Sequence, residues 1–136
     1  MKFDIVTIFP GIFESYLNES IIKRAKEKKL IQIKTHNLRD FTKDKHKKVD
    51  DSPYGGGAGM VLKAEPILRA VSALKLKIKD QKSKIVIFSA KGKQFNQKMA
   101  YDWAKKYKRI IFVTGRYEGV DERARQILRA EEISIG

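Results

Sequence analysis

Short apolar runs alternate with longer amphipathic segments along most of the chain. Strand-like runs cover residues 2–8, 30–35, 84–89 and 109–114, and the last two carry continuous apolar stretches. A continuous apolar run of this length is typical of a strand buried on both faces of a parallel sheet. Segments with helical spacing separate the runs. The pattern therefore predicts an α/β fold with a mostly parallel sheet and helices on both faces.

The predicted helices cover residues 12–28, 63–76, 97–107 and 122–130. Pro66 is tolerated only in a first helical turn, so the second helix should begin near Glu65. Asn96 and Asp121 stand where the side chain of an N-cap is expected. A further strand should begin at Glu131.

Residues 37–59 lack periodicity and are too polar to fill a core. A segment of this length without regular structure is usually functional or disordered. Four of the five residues 55–59 are glycine, which resembles a phosphate-binding loop. However, no Gly-Lys-Ser/Thr follows and no buried strand precedes the glycines, so the context disfavours a nucleotide P-loop.

The loop after the strand 109–114 carries two glycines, Gly115 and Gly119, and two opposite charges, Arg116 and Glu118. It leads into a helix, as does the loop at residues 89–92. Open α/β sheets bind ligands at the carboxyl ends of their strands, because loops there are not covered by other elements. We therefore expect both loops to contribute to one pocket.

Composition restricts the function further. The chain of 136 residues has no cysteine and two histidines, which excludes a disulfide framework and disfavours a zinc site. No apolar stretch reaches the length of a membrane span and no secretory leader is visible, so we expect a cytoplasmic protein. The net charge of +14 predicts a polyanionic partner such as nucleic acid, although a lysine-rich solvated surface remains the alternative.

Several longer motifs, in this order, closely resemble the bacterial tRNA (guanine-N1)-methyltransferases. This family belongs to the knotted SPOUT class, which uses S-adenosylmethionine. The resemblance covers the whole chain. The motifs are Asp-Phe-Thr at 40–42, Asp-Asp-Ser-Pro-Tyr-Gly-Gly-Gly-Ala-Gly-Met at 50–60, Gly-Arg-Tyr-Glu-Gly-Val-Asp-Glu-Arg at 115–123 and Ser-Ile-Gly at 134–136.

The resemblance implies a carboxyl-terminal trefoil knot in which three loops hold a bent S-adenosylmethionine. Carried over to this sequence, the cofactor-binding residues are Ser89, Ala90, Gly92, Gly115, Glu118, Gly119, Ser134, Ile135 and Gly136. The residues on the side of the tRNA and its guanine are Asp50, Asp51, Tyr54, Gly55, Gly57, Gly59 and Arg116. The resemblance also implies a homodimer with the site between its subunits.

Two departures from the family pattern concern the site. Ala90-Lys91-Gly92 stands where the family usually has Pro-Gln-Gly. The family also continues beyond Ser-Ile-Gly with a linker and a helical tRNA-binding domain, and its catalytic aspartate and arginine lie in that continuation. We therefore expect residues 1–136 to be the cofactor-binding domain of a longer protein, in which Arg116 and Glu118 have supporting roles and the knot can be incomplete.

Two other functions remain open. A non-catalytic, basic RNA-binding α/β module accounts for the net charge, but it does not account for glycine-bearing loops after successive buried strands. An enzyme acting on a nucleotide phosphate is the third hypothesis. Asp50 and Asp51 form the paired carboxylates of the polar segment and could act as a base, but the resemblance favours substrate positioning for them.

Overall fold

The computed structural model describes residues 1–51, 61–77, 82–115 and 119–135. Its elements, in chain order, are β1 (Lys2–Thr7), α1 (Pro10–Leu17), α2 (Ser20–Glu27), β2 (Gln32–Asn37), a short 3₁₀ helix (Leu38–Phe41), β3 (Asp50–Asp51), β4 (Val61–Leu62), α3 (Ala64–Leu76), β5 (Ser83–Gln94), α4 (Gln97–Lys106), β6 (Arg109–Thr114), α5 (Glu122–Leu128) and β7 (Glu131–Ser134).

Within these ranges, five strands form a parallel sheet in the order β2-β1-β6-β5-β7. The apolar strand β6 lies at the centre, between β1 and β5. β1 and β2 are adjacent and parallel, so the chain opens with a βαβ unit. The mostly parallel sheet is confirmed. The trefoil knot stays a prediction.

Helices cover both faces of the sheet, as predicted. On one face, hereafter the α3 face, apolar residues of α3 and α5 pack with the sheet; they include Ile67, Val71, Ala124, Val6, Ile87, Ile111 and Val113. On the other, the α4 face, Met99 and Trp103 pack against Val86, Ile110 and Ile133. Trp103 is therefore part of the core.

One helix predicted over residues 12–28 is wrong, because two helices occupy that range. The side-chain amide of Asn18 donates to the carbonyl of Glu14 at 2.9 Å, and Ser20 has φ of 51°. Asparagine side chains that bond to nearby backbone compete with helix continuation. A positive φ at a non-glycine residue also interrupts the helical path. The remaining helices and β6 match their predicted ranges to within about two residues.

A buried charge lies on the α3 face of β1. Asp4 is 1% exposed, and its two oxygens bond to His36 Nε2 at 2.8 Å and to Arg109 Nε at 2.5 Å. Burial alone would raise the pKa of Asp4, but the hydrogen bonds from His36 and Arg109 outweigh it and lower the pKa below its usual value. This cluster connects β1 to both of its neighbours, β2 and β6.

Candidate functional site

The carboxyl ends of β5, β6 and β7 meet at one edge of the sheet. Phe88 of β5 pairs with Thr114 of β6 on one side and with Ile133 of β7 on the other. The segments beginning at Ser89, Gly115 and Ser134 therefore start next to one another. The structure thus brings together parts of all three segments that the sequence assigned to the cofactor.

The prediction that the first segment, residues 89–92, is a loop after the strand is wrong. These residues are an excursion within β5. β5 continues to Gln94, and Phe88 and Lys93 both pair with Ile133, so residues 89–92 leave the ladder and return. A Cβ atom at Gly92 would lie 2.5 Å from the backbone nitrogen of Ile133. Glycine is therefore required at this position, because the two backbones touch.

The second segment lies against the first. A Cβ atom at Gly115 would lie 3.3 Å from the carbonyl oxygen of Phe88 and 3.3 Å from the Cα atom of Gly119. Gly119 has φ of 109°, a conformation that residues with a side chain rarely adopt. Both glycines therefore allow the chain to fold back sharply beside the end of β5.

The predicted substrate segment reaches the same place through β4. The amide of Leu62 donates to the carbonyl of Gly119 at 2.9 Å, and the amide of Asp121 donates to the carbonyl of Leu62 at 2.9 Å. Leu62 also pairs antiparallel with Asp50 of β3. The strand that carries the predicted tRNA-side aspartates is therefore only one strand away from the predicted cofactor segment.

Asp121 fixes the start of α5 directly after this contact. Its carboxylate accepts hydrogen bonds from the Arg123 amide at 2.9 Å and from Arg123 Nη2 at 2.7 Å, and the hydrogen bond from the Arg123 side chain is the main cause of its lowered pKa. Asp121 is thus the predicted N-cap. The cap holds the backbone that follows Gly119 in one orientation.

Arg125 connects α5 to β7. Its guanidinium bonds to Glu122 within the helix and to Glu132 Oε1 of β7 at 3.0 Å. The hydrogen bond from Arg125 is the main cause of the lowered pKa of Glu122, and the charge of Lys91 contributes to it. Lys91 of the β5 excursion therefore lies within electrostatic reach of the first turn of α5, which brings positive charge to this edge.

Several predicted site residues are outside the described part of the chain, namely Tyr54, Gly55, Gly57, Gly59, Arg116, Glu118 and Gly136. Among the described ones, Asp50 and Ser89 are half-buried, Ala90 and Ile135 are exposed, and Ser134 is buried. For Asp51 the structure gives its backbone pairing with Val61. The roles assigned to all these residues stay predictions.

Sequence reasoning missed Leu62 and Val120, which form a parallel bridge and hold the two segments together. The available signal was the apolar pair Val61-Leu62 directly after the glycine-rich stretch.

The described residues contain no group of three or more His, Asp or Glu side chains arranged to hold a metal ion. In the same ranges, no helix has the length and apolarity needed to cross a membrane.

The site therefore offers glycine-lined backbone at the ends of three strands, with basic side chains nearby. Backbone amides and carbonyls in such a position can bind the base and sugar of a nucleoside. Glycine lets them approach a ligand closely. The arrangement is suited to binding a nucleoside-containing cofactor beside a substrate that approaches from the β3–β4 side.

Comparison with known proteins agrees with this geometry. The family model described as tRNA (Guanine-1)-methyltransferase TrmD matches residues 1–136. A tRNA (guanine-N(1)-)-methyltransferase of Dictyoglomus turgidum is 52% identical over the whole chain, and one of Carboxydothermus hydrogenoformans is 51% identical. Among solved structures, the tRNA (m1G37) methyltransferase from Aquifex aeolicus matches all of this chain and 60% of its own, with a TM-score of 0.85 and 39% identity.

The chain spans about half the length of the curated relatives that it matches. It covers 53% of the Dictyoglomus turgidum protein and 52% of the Carboxydothermus hydrogenoformans protein.

Proposed function

This chain belongs to the tRNA (guanine-N1)-methyltransferase family, and on that basis we propose that the complete protein methylates tRNA. The methyl group passes from S-adenosylmethionine to N1 of the guanine 3′ of the anticodon. The reaction takes place in the cytoplasm. Within this protein, residues 1–136 bind the cofactor and form part of the tRNA side of the site.

The observation that carries the proposal is the junction of three strand ends around Phe88. The backbones of β5, β6 and β7 meet there, with Gly92 against Ile133 and Gly115 against Phe88. The residues present fit S-adenosylmethionine, because glycine-lined backbone can bind the adenosine part. Residues 89–92, Gly115, Gly119 and 134–135 would hold it. When bound, S-adenosylmethionine supplies a methyl group on a sulfonium, which a nitrogen nucleophile can attack.

The contribution of this chain to the chemistry is positioning. A displacement at the methyl carbon needs N1 of guanine in line with the bond that breaks, and orientation of this kind is worth roughly 7–11 kcal/mol. The Leu62–Gly119 hydrogen bond sets the distance between the strand of Asp50 and Asp51 and the cofactor segment. In the proposed reaction these two aspartates orient the guanine. The N1 proton passes to a general base, a step worth about 10²- to 10⁴-fold in rate.

The partners belong to the same proposal. The substrate is tRNA, whose phosphates attract the basic chain, and the working form is a homodimer. The net charge of +14 supports the first of these. Equilibrium sedimentation of the complete protein tests the homodimer. A monomer mass that stays constant at micromolar concentrations would contradict it.

A methyl-transfer assay tests the proposal. The complete protein is incubated with methyl-labelled S-adenosylmethionine and an unmodified tRNA transcript that has guanine 3′ of the anticodon. We expect N1-methylguanosine after nuclease digestion. A transcript with adenine at that position is the matched control and should remain unlabelled.

Calorimetry separates this function from the non-catalytic RNA-binding module. Binding of S-adenosylhomocysteine in the absence of nucleic acid supports the methyltransferase. If the complete protein binds tRNA but neither binds this ligand nor labels guanine, the proposal is wrong and the RNA-binding module replaces it. ATP binding in place of S-adenosylhomocysteine would favour the nucleotide-phosphate enzyme.

A further inference from the structure

Three lysines lie side by side where β1, β6 and β5 begin, at the edge opposite the candidate site. The amide of Lys2 donates to the carbonyl of Lys108 at 2.9 Å, and the amide of Lys108 donates to the carbonyl of Lys82 at 2.9 Å. Adjacent strands are about 4.8 Å apart, so the backbones of the three lysines are close neighbours. This edge of the sheet therefore carries three lysines within the width of three adjacent strands.

A polar pocket of about 180 Å³ adjoins this row on the α3 face. Its lining includes three exposed lysines, Lys2, Lys34 and Lys77, together with Gln32 and Arg109. The carboxylate of Asp4 also lines the pocket, but it already bonds to Arg109 and His36. Within the described part of the chain, the ammonium groups of these three lysines have no carboxylate partner.

We call Lys2, Lys34, Lys77, Lys82 and Lys108 the basic edge. Within the described residues, none of the five forms an ion pair with a carboxylate. Residues 78–81, outside the described part, add one lysine and one aspartate to the sequence, and so no net charge. The helix dipole explains a basic residue in the last turn of a helix, as at Lys77 after α3, but it does not explain Lys2, Lys34 or Lys108.

We propose that the basic edge binds the phosphate backbone of RNA, as a second contact with the tRNA that the site modifies. The inference rests on the proposed function. Lysine is a flexible point charge, suited to phosphate contacts that carry no sequence information. The strands of the sheet are about 20 Å long, so the contact lies far from the methylated base and serves affinity rather than chemistry.

The shape of the pocket favours RNA over an anionic membrane. A concave pocket lined by several N–H donors can surround one phosphate, whereas a bilayer presents a flat surface. Leu30 and Leu76 are exposed near this edge, at 64% and 82%, and apolar side chains beside lysines are also a feature of membrane-surface binding. A vesicle arm in the experiment therefore distinguishes the two partners.

The test measures tRNA affinity of the complete protein at 50 and 200 mM salt. The variant Lys2→Gln/Lys34→Gln/Lys77→Gln removes the lysines of the pocket. The matched control, Lys23→Gln/Arg24→Gln/Lys98→Gln, removes the same charge from exposed positions on α2 and α4. We expect the pocket variant to bind tRNA about a hundredfold more weakly at 50 mM salt and several-fold more weakly at 200 mM. Its slope of log affinity against log salt should be smaller by about 2, because three phosphate contacts are lost.

Three further results would support the inference. The control variant should bind tRNA within about twofold of the wild-type affinity, and the triple Lys→Arg variant of the pocket should restore that affinity. The pocket variant should also bind S-adenosylhomocysteine as tightly as the wild type does. Equal losses in the pocket variant and the control would show that only net charge matters, and an unchanged pocket variant would show no contact. Either result overturns the inference. So does loss of binding to phosphatidylglycerol vesicles with tRNA binding intact. If the wild-type protein binds tRNA through this edge but does not methylate it, the proposed function is contradicted and the tRNA contact stands.

Discussion

Leu62 and Gly119 are joined by a hydrogen bond of 2.9 Å between the amide of the first and the carbonyl of the second. Leu62 lies on the two-stranded ribbon with Asp50, and Gly119 lies in the turn before α5. The bond therefore connects the part of the chain that we assign to the guanine with the part that we assign to the cofactor. A change on either side of it should alter the distance between the two.

The contact of Gly92 with β7 predicts a large effect of a small substitution. In Gly92→Ala, the new methyl group meets the backbone of Glu132 and Ile133, which cannot rotate away. We expect a loss of about 3 kcal/mol in the free energy of unfolding, at the upper end for overpacking. Urea denaturation measures it.

Gly11→Ala is the matched control for this experiment. Its Cβ atom meets nothing within 4 Å, and Gly11 lies in α1. Alanine is favoured over glycine in helices by up to about 1 kcal/mol, so this variant should equal or exceed the wild type in stability. Equal destabilisation by both substitutions would contradict the close contact at Gly92.

Gly115→Ala should affect ligand binding more than folding. Its Cβ atom would come within 3.3 Å of Phe88 and of Gly119, a tight contact that a small loop movement relieves. We expect a loss of stability of about 1 kcal/mol. We also expect S-adenosylhomocysteine to bind at least about tenfold more weakly, because the loops move apart. Calorimetry that shows wild-type affinity in this variant would place the ligand elsewhere.

Asp4→Asn should reveal the buried ion cluster. The substitution leaves the guanidinium of Arg109, whose side chain is 11% exposed, without its carboxylate. Removing one partner of a buried pair costs roughly 3–5 kcal/mol. Urea denaturation at pH 7 measures this loss, and Glu14→Gln, at an exposed position of α1, is the control that should change little.

The same variant should change the acid dependence of stability. The pKa of Asp4 is lower in the folded protein than its ordinary value of 3.8, so its stabilisation is complete above that value. The stabilisation is lost as the pH falls below 3.8 through the folded pKa. The difference between wild type and Asp4→Asn should therefore shrink at pH values below 3.8. A difference that stays constant down to complete acid unfolding would mean that Asp4 does not titrate as described.

Asp121 should stabilise the protein as the N-cap of α5. In Asp121→Ala the amide of Arg123 loses its acceptor, and a stability loss of about 1–2 kcal/mol is typical of such a cap. Asp121→Asn keeps an acceptor oxygen and should recover about half of that loss. Thermal unfolding compares the two variants. Identical melting temperatures for Ala and Asn would argue against the cap.

The sheet could be predicted from the sequence because short patterns of neighbouring residues indicate its strands. β6 and the first half of β5 are short apolar runs, and Asn96 and Asp121 are caps that act within three residues. Such patterns depend only on residues that are close in the sequence, so they can be recognised without knowledge of the fold. The edge at which the loops meet then follows from the rule that parallel strands end together.

The rest depended on contacts between distant residues. The second half of β5 pairs with Ile133 and Ser134, so its strand character comes from β7 and not from its own polar sequence. The Leu62–Val120 bridge joins two segments too short to have a periodicity. The sequence around Asp4 has the alternation of an ordinary strand, and only the positions of His36 and Arg109 show that Asp4 is buried and paired.

Backbone amide chemical shifts during a titration with S-adenosylhomocysteine test the assignment of the pocket most directly. In the complete protein, we predict that the largest changes fall together on residues 89–92, Gly115, Gly119 and 134–135, the positions that we propose to surround one ligand. Changes confined to a single segment, or centred on the opposite edge of the sheet, would show that the three strand ends do not form the cofactor pocket.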